Sequence, residues 1–126
     1  MAKVSGIVVD VNRGTVYRVE VARELGEYYR LIGCDCIDIV MEQIGGVLVN
    51  VVVDDEGLLK DDPRLAIWRQ DGGLYGSVLV LGFDRDEMDV RGLTEDEMRT
   101  VEGNVRKVMF ADGTVRQVLV SDDMLQ

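Results

Sequence analysis

The chain has no histidine, which removes the commonest general base together with every Ser-His and Cys-His nucleophile pair. The expectation is a protein that is not an enzyme. Cysteine is scarce: Cys34 and Cys36 stand one residue apart, too close for an unstrained disulfide and off the two-residue spacing of zinc knuckles and redox motifs. Carboxylates would have to complete any zinc site, so the pair reads as two small buried residues, and no metal or cofactor is expected. A single proline and a 47 % hydrophobic content exclude a disordered chain. No run approaches the ~20 consecutive apolar residues of a membrane span, and the start MAKVSGIVVDVNRG lacks a cleavable signal pattern. Cytoplasmic residence without a membrane partner is expected. Basic residues number 14 against 24 acidic ones, a net charge of −10 that argues against binding a nucleic acid polymer. A few local cations can still hold a small anion, and most of those present are arginine, whose planar fork pairs with phosphate in a two-pronged way.

At 126 residues the chain is read as one α+β domain, mostly antiparallel with two helices, with a core over 1–104 and a protruding C-terminal hairpin over 105–120. A valine-rich strand over Lys3 to Val11 turns at Asn12-Arg13-Gly14 into a second strand, Thr15 to Val21. Ala22, Leu25, Tyr29 and Ile32 recur at helical spacing, with Gly33 as the stop. Cys36 to Met41 reads as a strand, Gly45-Gly46 as a break, and Val47 to Val53 as a buried strand. After the Asp54 to Gly57 turn come a short helical turn over Leu58 to Pro63, a weak strand over Leu65 to Trp68 and a loop over Asp71-Gly72-Gly73. Ser77 to Gly82 is a further buried strand. Thr94 with Glu97 is a capping box that opens a helix over Glu95 to about Glu102, with Met98 and Val101 inward and Gly103 closing it. Ser121 to Gln126 reads as a short acidic tail.

The segment VRKVMFADGTVRQVLV, Val105 to Val120, carries Arg106, Lys107 and Arg116 against Asp112 alone, so it is +2 while the remaining residues sum to −12. Asp112-Gly113 predicts a two-residue hairpin loop in which Met109 faces Arg116 and Lys107 faces Val118. That register puts Lys107 and Arg116 on one face as diagonal neighbours, roughly 7–8 Å apart, where an anion would relieve their repulsion. Large apolar residues fall on both faces of the ribbon: Val108, Phe110, Val115 and Leu119 on one, Met109, Val118 and Val120 on the other. A homo-oligomer is therefore expected.

Asp54, Asp55, Glu56, Asp61 and Asp62 form the densest acidic group, and such turns are far more often solvated loops than magnesium sites. Gly72-Gly73 and Gly76 are not a phosphate loop, since no Lys-Ser or Lys-Thr follows. Tyr28, Trp68, Tyr75, Phe83 and Phe110 could stack on a base, although the ordinary habit of such residues is to fill cores.

The blocks YYRLIGCDCIDIV (Tyr28 to Val40), DDEGLLKDDP (Asp54 to Pro63), YGSVLVLGFD (Tyr75 to Asp84) and GLTEDEM (Gly92 to Met98) resemble a family of small uncharacterised domains from phages and gut bacteria. With its basic terminal hairpin, the chain is similar to the first type of Thoeris anti-defence proteins. The resemblance implies a phage-encoded sponge, acting in the host cytoplasm, that sequesters cyclic ADP-ribose isomers without cleaving them. It also implies assembly as a dimer or hexamer, and uptake of cyclic oligonucleotides at a separate site in some members. It further implies aromatic and Asn contacts to bases and Arg contacts to phosphates. Those roles are placed on Phe83, Asn104, Arg106 and Arg116, with Arg64 beside them and Lys107 added from the hairpin register. The alternative is an acidic protein that imitates DNA to inhibit a host defence enzyme, and a nucleotide phosphohydrolase ranks third.

Overall fold

A computed structural model describes residues 3–57, 63–70 and 72–125. Ten strands and two helices follow in chain order among them: β1 (Lys3–Asp10), β2 (Thr15–Ala22), α1 (Leu25–Ile32), β3 (Ile37–Ile44), β4 (Val47–Asp54), β5 (Leu65–Trp68), β6 (Leu74–Tyr75), β7 (Val78–Asp84), β8 (Asp89–Arg91), α2 (Glu95–Glu102), β9 (Val105–Met109) and β10 (Val115–Val120). The fold is α+β and mostly antiparallel, as expected. The helical turn read between Leu58 and Pro63 falls, apart from Pro63, outside the described residues, as does Asp71 of the following loop.

The larger sheet has the order β2-β1-β7-β4-β3, with β8 pairing on β7. Its central strands are buried on both faces, which explains their nearly unbroken Val and Leu content. Ile7, Val9, Val49, Val51, Val78 and Val80 point to one side, where Ala66, Ile67 and Leu119 of the second sheet and Met98 and Val101 of α2 meet them. Val8, Val52, Leu79 and Leu81 point to the other side, against Tyr28 and Ile32 of α1. Period-two alternation thus feeds two cores from one sheet. The second sheet has the order β6-β5-β10-β9, and its β5–β10 pairing is parallel.

Two elements differ from expectation. Helix α1 begins at Leu25, because β2 stays paired with β1 as far as Ala22 opposite Lys3. Its inward side is Tyr28 and Ile32, while Leu25 is 57 % exposed. The acidic tail does not trail into solvent. Residues Asp122–Leu125 form a 3₁₀ turn, in which the Asp122 carboxylate accepts the Gly45 and Gly46 N–H groups at 2.6 and 2.8 Å and Asp123 accepts that of Gln70 at 3.1 Å. Nearby, Arg69 meets buried Glu42 at 3.0 Å, and the Ser121 hydroxyl donates to the same carboxylate at 2.9 Å. These contacts tie the end of β10 to the β3–β4 hairpin.

The largest correction concerns β9–β10. Val115 pairs with Met109, Arg116 with Val108 and Gln117 with Lys107, one residue away from the expected register. Gly113 alone in this loop takes a left-handed backbone, at φ 85°. The Phe110 N–H reaches Thr114 and the Gly113 N–H reaches Phe110, closing a three-residue loop. Asp112 accepts both the N–H and the hydroxyl of Thr114, at 2.9 and 2.6 Å, which holds the longer loop. A slip of one residue moves every side chain of one strand to the opposite face. Lys107 and Arg116 therefore lie on opposite faces, and the anion site expected between them is not formed.

Candidate functional site

Arg116 now shares its face with Phe110, its diagonal neighbour across the hairpin. Its guanidinium carbon lies 5.1 Å from the Phe110 ring centre, within cation–π range. Its stem lies along the β1–β2 turn at Gly14, where an added Cβ would come within 2.9 Å of the arginine Cγ. The arginine side chain is only 12 % exposed. Asp112 Oδ2 stands 3.4 Å from Nη2, a weak contact across the loop.

Arg64, the residue just ahead of β5, comes to the same place, with Nη1 3.5 Å from the Val11 carbonyl. Between the two arginines opens a cleft of ≈ 410 Å³, walled by Pro63, Leu65, Tyr75, Phe110, Ala111 and Asp112. The charges register on Asp112. Hydrogen bonds from Thr114, then the positive charges of Arg116 and Arg64, hold its carboxyl below the usual range. Two guanidinium groups over aromatic and aliphatic walls suit an anion that carries a flat ring.

The other expected site residues are dispersed. Asn104 follows α2, where its carboxamide donates to the Thr100 carbonyl at 2.9 Å and its own carbonyl accepts the Val120 N–H. It works there as a helix-end clasp. Arg106 folds back onto the Gly103 and Val105 carbonyls at 2.9 and 3.0 Å. Lys107 lies exposed opposite Gln117. Phe83 is half-buried on β7, across from Val90 and at a distance in the fold from the hairpin loop. Of the six, Arg116 and Arg64 line the cleft. Tyr75 and Phe110 join them, two of the aromatic residues that the sequence offers for stacking but that are read first as core or interface filler. The signal for Phe110 was its place just before the turn, which in the three-residue loop makes it diagonal to Arg116.

The acidic turn shows ordinary loop chemistry. Asp54 Oδ1 accepts the Glu56 N–H at 2.9 Å, and no group of potential metal ligands assembles among the described residues. Asp61 and Asp62 lie outside those residues. Cys34 is buried and Cys36 exposed, so the expected burial holds for one of the two. No helix among the described residues is long and apolar enough to cross a membrane.

One family model, the domain of unknown function DUF3846, matches residues 4–106. The chain belongs to this family. No curated protein and no solved structure matches it. The matched DUF3846 region contains Arg64, Leu65 and Tyr75, whereas Phe110, Asp112 and Arg116 follow it. One wall of the cleft thus comes from the family domain and the opposing wall from the strand pair that runs past it.

Proposed function

We propose that the protein binds a small anionic nucleotide in the Arg64/Arg116 cleft and retains it unchanged. The observation that carries this reading is Arg116: a guanidinium 12 % exposed, stacked on Phe110, in a cleft that a second arginine also lines. The resemblance to Thoeris anti-defence sponges gives the ligand class, cyclic ADP-ribose isomers and, secondarily, cyclic oligonucleotides. On this reading the protein is a phage anti-defence factor that withholds a host immune signal in the cytoplasm. Sequestration is favoured over turnover because the chain has no histidine and the carboxylate among the described cleft residues, Asp112, is held in its charged form by Thr114 and the two arginines. Self-association belongs to the same proposal. Met109 and Val115 form a cross-strand pair on the hairpin, 71 % and 56 % exposed, and a second copy would cover them.

The test is calorimetry with a panel of cyclic ADP-ribose isomers and cyclic oligonucleotides, followed by heat denaturation of the loaded protein. Micromolar or tighter binding with release of unchanged ligand is expected. Release of an altered product would make it an enzyme, and no uptake from the panel would leave the DNA-mimic alternative. Arg116→Ala should cost about 2–4 kcal/mol of binding, the range for removing one partner of a desolvated charged pair. Arg116→Lys should recover only part, because the two-pronged geometry is lost.

A further inference from the structure

A second cleft, of ≈ 280 Å³, adjoins the first. Pro63 and Arg64 line both, so the arginine stands in the partition between them. The carbonyl that Arg64 Nη1 approaches belongs to Val11, in the wall of the second cleft. Apart from Pro63 and Arg64, the lining of the two spaces differs. Where the first offers rings and cations, the second offers Asn12, Asp54 and Ser77 around Gly33, Gly57 and Gly76.

Each of those polar groups suits a hydroxyl. The exposed Asn12 carboxamide has no hydrogen-bond partner among the described residues. Ser77 is buried, and its hydroxyl accepts the Val11 N–H at 3.1 Å, which leaves its proton for an acceptor. Asp54 adds a carboxylate, which accepts from vicinal sugar hydroxyls and repels phosphate; an acidic residue reads ribose in the same way in dinucleotide sites. Gly76 sits at φ 87°, a backbone that side chains rarely adopt, and its Cβ position lies 3.5 Å from that of Asp54, so the floor there stays bare.

We infer that the second cleft is the sugar subsite of the ligand anchored between Arg64 and Arg116. The ligand class is then a diphosphate with an aromatic base at one end and a hydroxylated ring at the other: base against Phe110 and Tyr75, diphosphate at the arginines, sugar between Asn12 and Asp54. This rests on the nucleotide reading above. Each cleft alone is near the lower end of the roughly 300–1,000 Å³ of small-molecule sites, and the pair accommodates a two-armed ligand.

The test is titration of the full chain with AMP, ribose 5-phosphate and ADP-ribose, in the parent and in Asn12→Ala. ADP-ribose is expected to bind at least about tenfold more tightly than either half, the equivalent of one or two added hydrogen bonds. Asn12→Ala should weaken ADP-ribose several-fold and leave AMP unchanged, which a folding defect would not do. Equal affinity for AMP and ADP-ribose, with Asn12→Ala indistinguishable from the parent, overturns the sugar subsite and leaves the anion site standing. Failure of all three probes to bind the parent overturns the sugar subsite, while the nucleotide reading is decided separately by the cyclic panel.

Discussion

Asp112 lines the Arg64/Arg116 cleft, so on the proposed reading its carboxylate opposes an anion bound there. Oδ1 takes both donors of Thr114, while Oδ2 faces Arg116 at 3.4 Å. Substituting Asn retains an acceptor for Thr114 and removes the charge. Asp112→Asn should therefore bind an anionic ligand about two- to fivefold more tightly, the scale of one exposed ion pair. Calorimetry beside a thermal melt separates this from a folding effect, and weaker binding at unchanged stability would show that the carboxylate contributes to the site. Arg116 and Arg64 were legible as candidates because cations are few and concentrated. Lys107 was paired with Arg116 through a loop assumed one residue too short. Asn104 and Arg106 follow the residues at the end of α2 and are consumed by that helix end, a contact that depends on where the next strand leaves. Asn12 carried no signal in sequence and Tyr75 stood only as one of five aromatic residues able to stack on a base, since the turn and the short strand that hold them meet only across the two sheets.

Helix α2 is the element that could be read to the residue, since its capping box is local. Thr94 and Glu97 bond reciprocally, at 2.9 and 3.2 Å, and Arg91 adds a two-pronged pair to the same Glu97 carboxylate at 2.7 and 2.9 Å. The Arg91 bonds are the main cause of a Glu97 pKa lowered from 4.5 to about 2. A carboxyl depressed on folding contributes stability that is present above pH 4.5 and is lost as pH falls toward 2. With partial exposure discounted, the contribution is ~2 kcal/mol at neutral pH. Glu97→Gln should lose about that much at pH 7 in urea unfolding, and the gap between variant and parent should narrow by pH 3; a gap independent of pH would refute the assignment. Other elements were less legible. Strands β6 and β8 have two and three residues, too few for a period to show. Asp-Gly serves two- and three-residue loops alike, and the choice fell to the Thr114 side chain.

At the scale of the whole molecule, nothing local announces that β10 also lies beside β5 in parallel, although the expected C-terminal hairpin is present. Its root is an interior strand with Val118 and Leu119 fully buried on opposite faces, and only the Met109/Val115 end stays open. Removing the hairpin would remove core, so self-association has to be tested by point variants. Burying that pair against a second copy would contribute about 2–4 kcal/mol gross per copy, at 1.5–3 kcal/mol per fully buried side chain scaled by their exposure. Two copies then contribute about 4–8 kcal/mol, close to the lower estimates of the ~4–15 kcal/mol lost in rigid-body freedom, so any assembly through this patch alone must be weak. Each copy also carries −10, a repulsion that added salt screens. Light scattering should therefore show a species larger than the 14.1 kDa chain at high protein concentration, growing with salt, and lost in Met109→Ser/Val115→Ser. A parent that stays monomeric at high concentration and high salt would remove the hairpin tip as an interface, and so would a double variant that assembles like the parent.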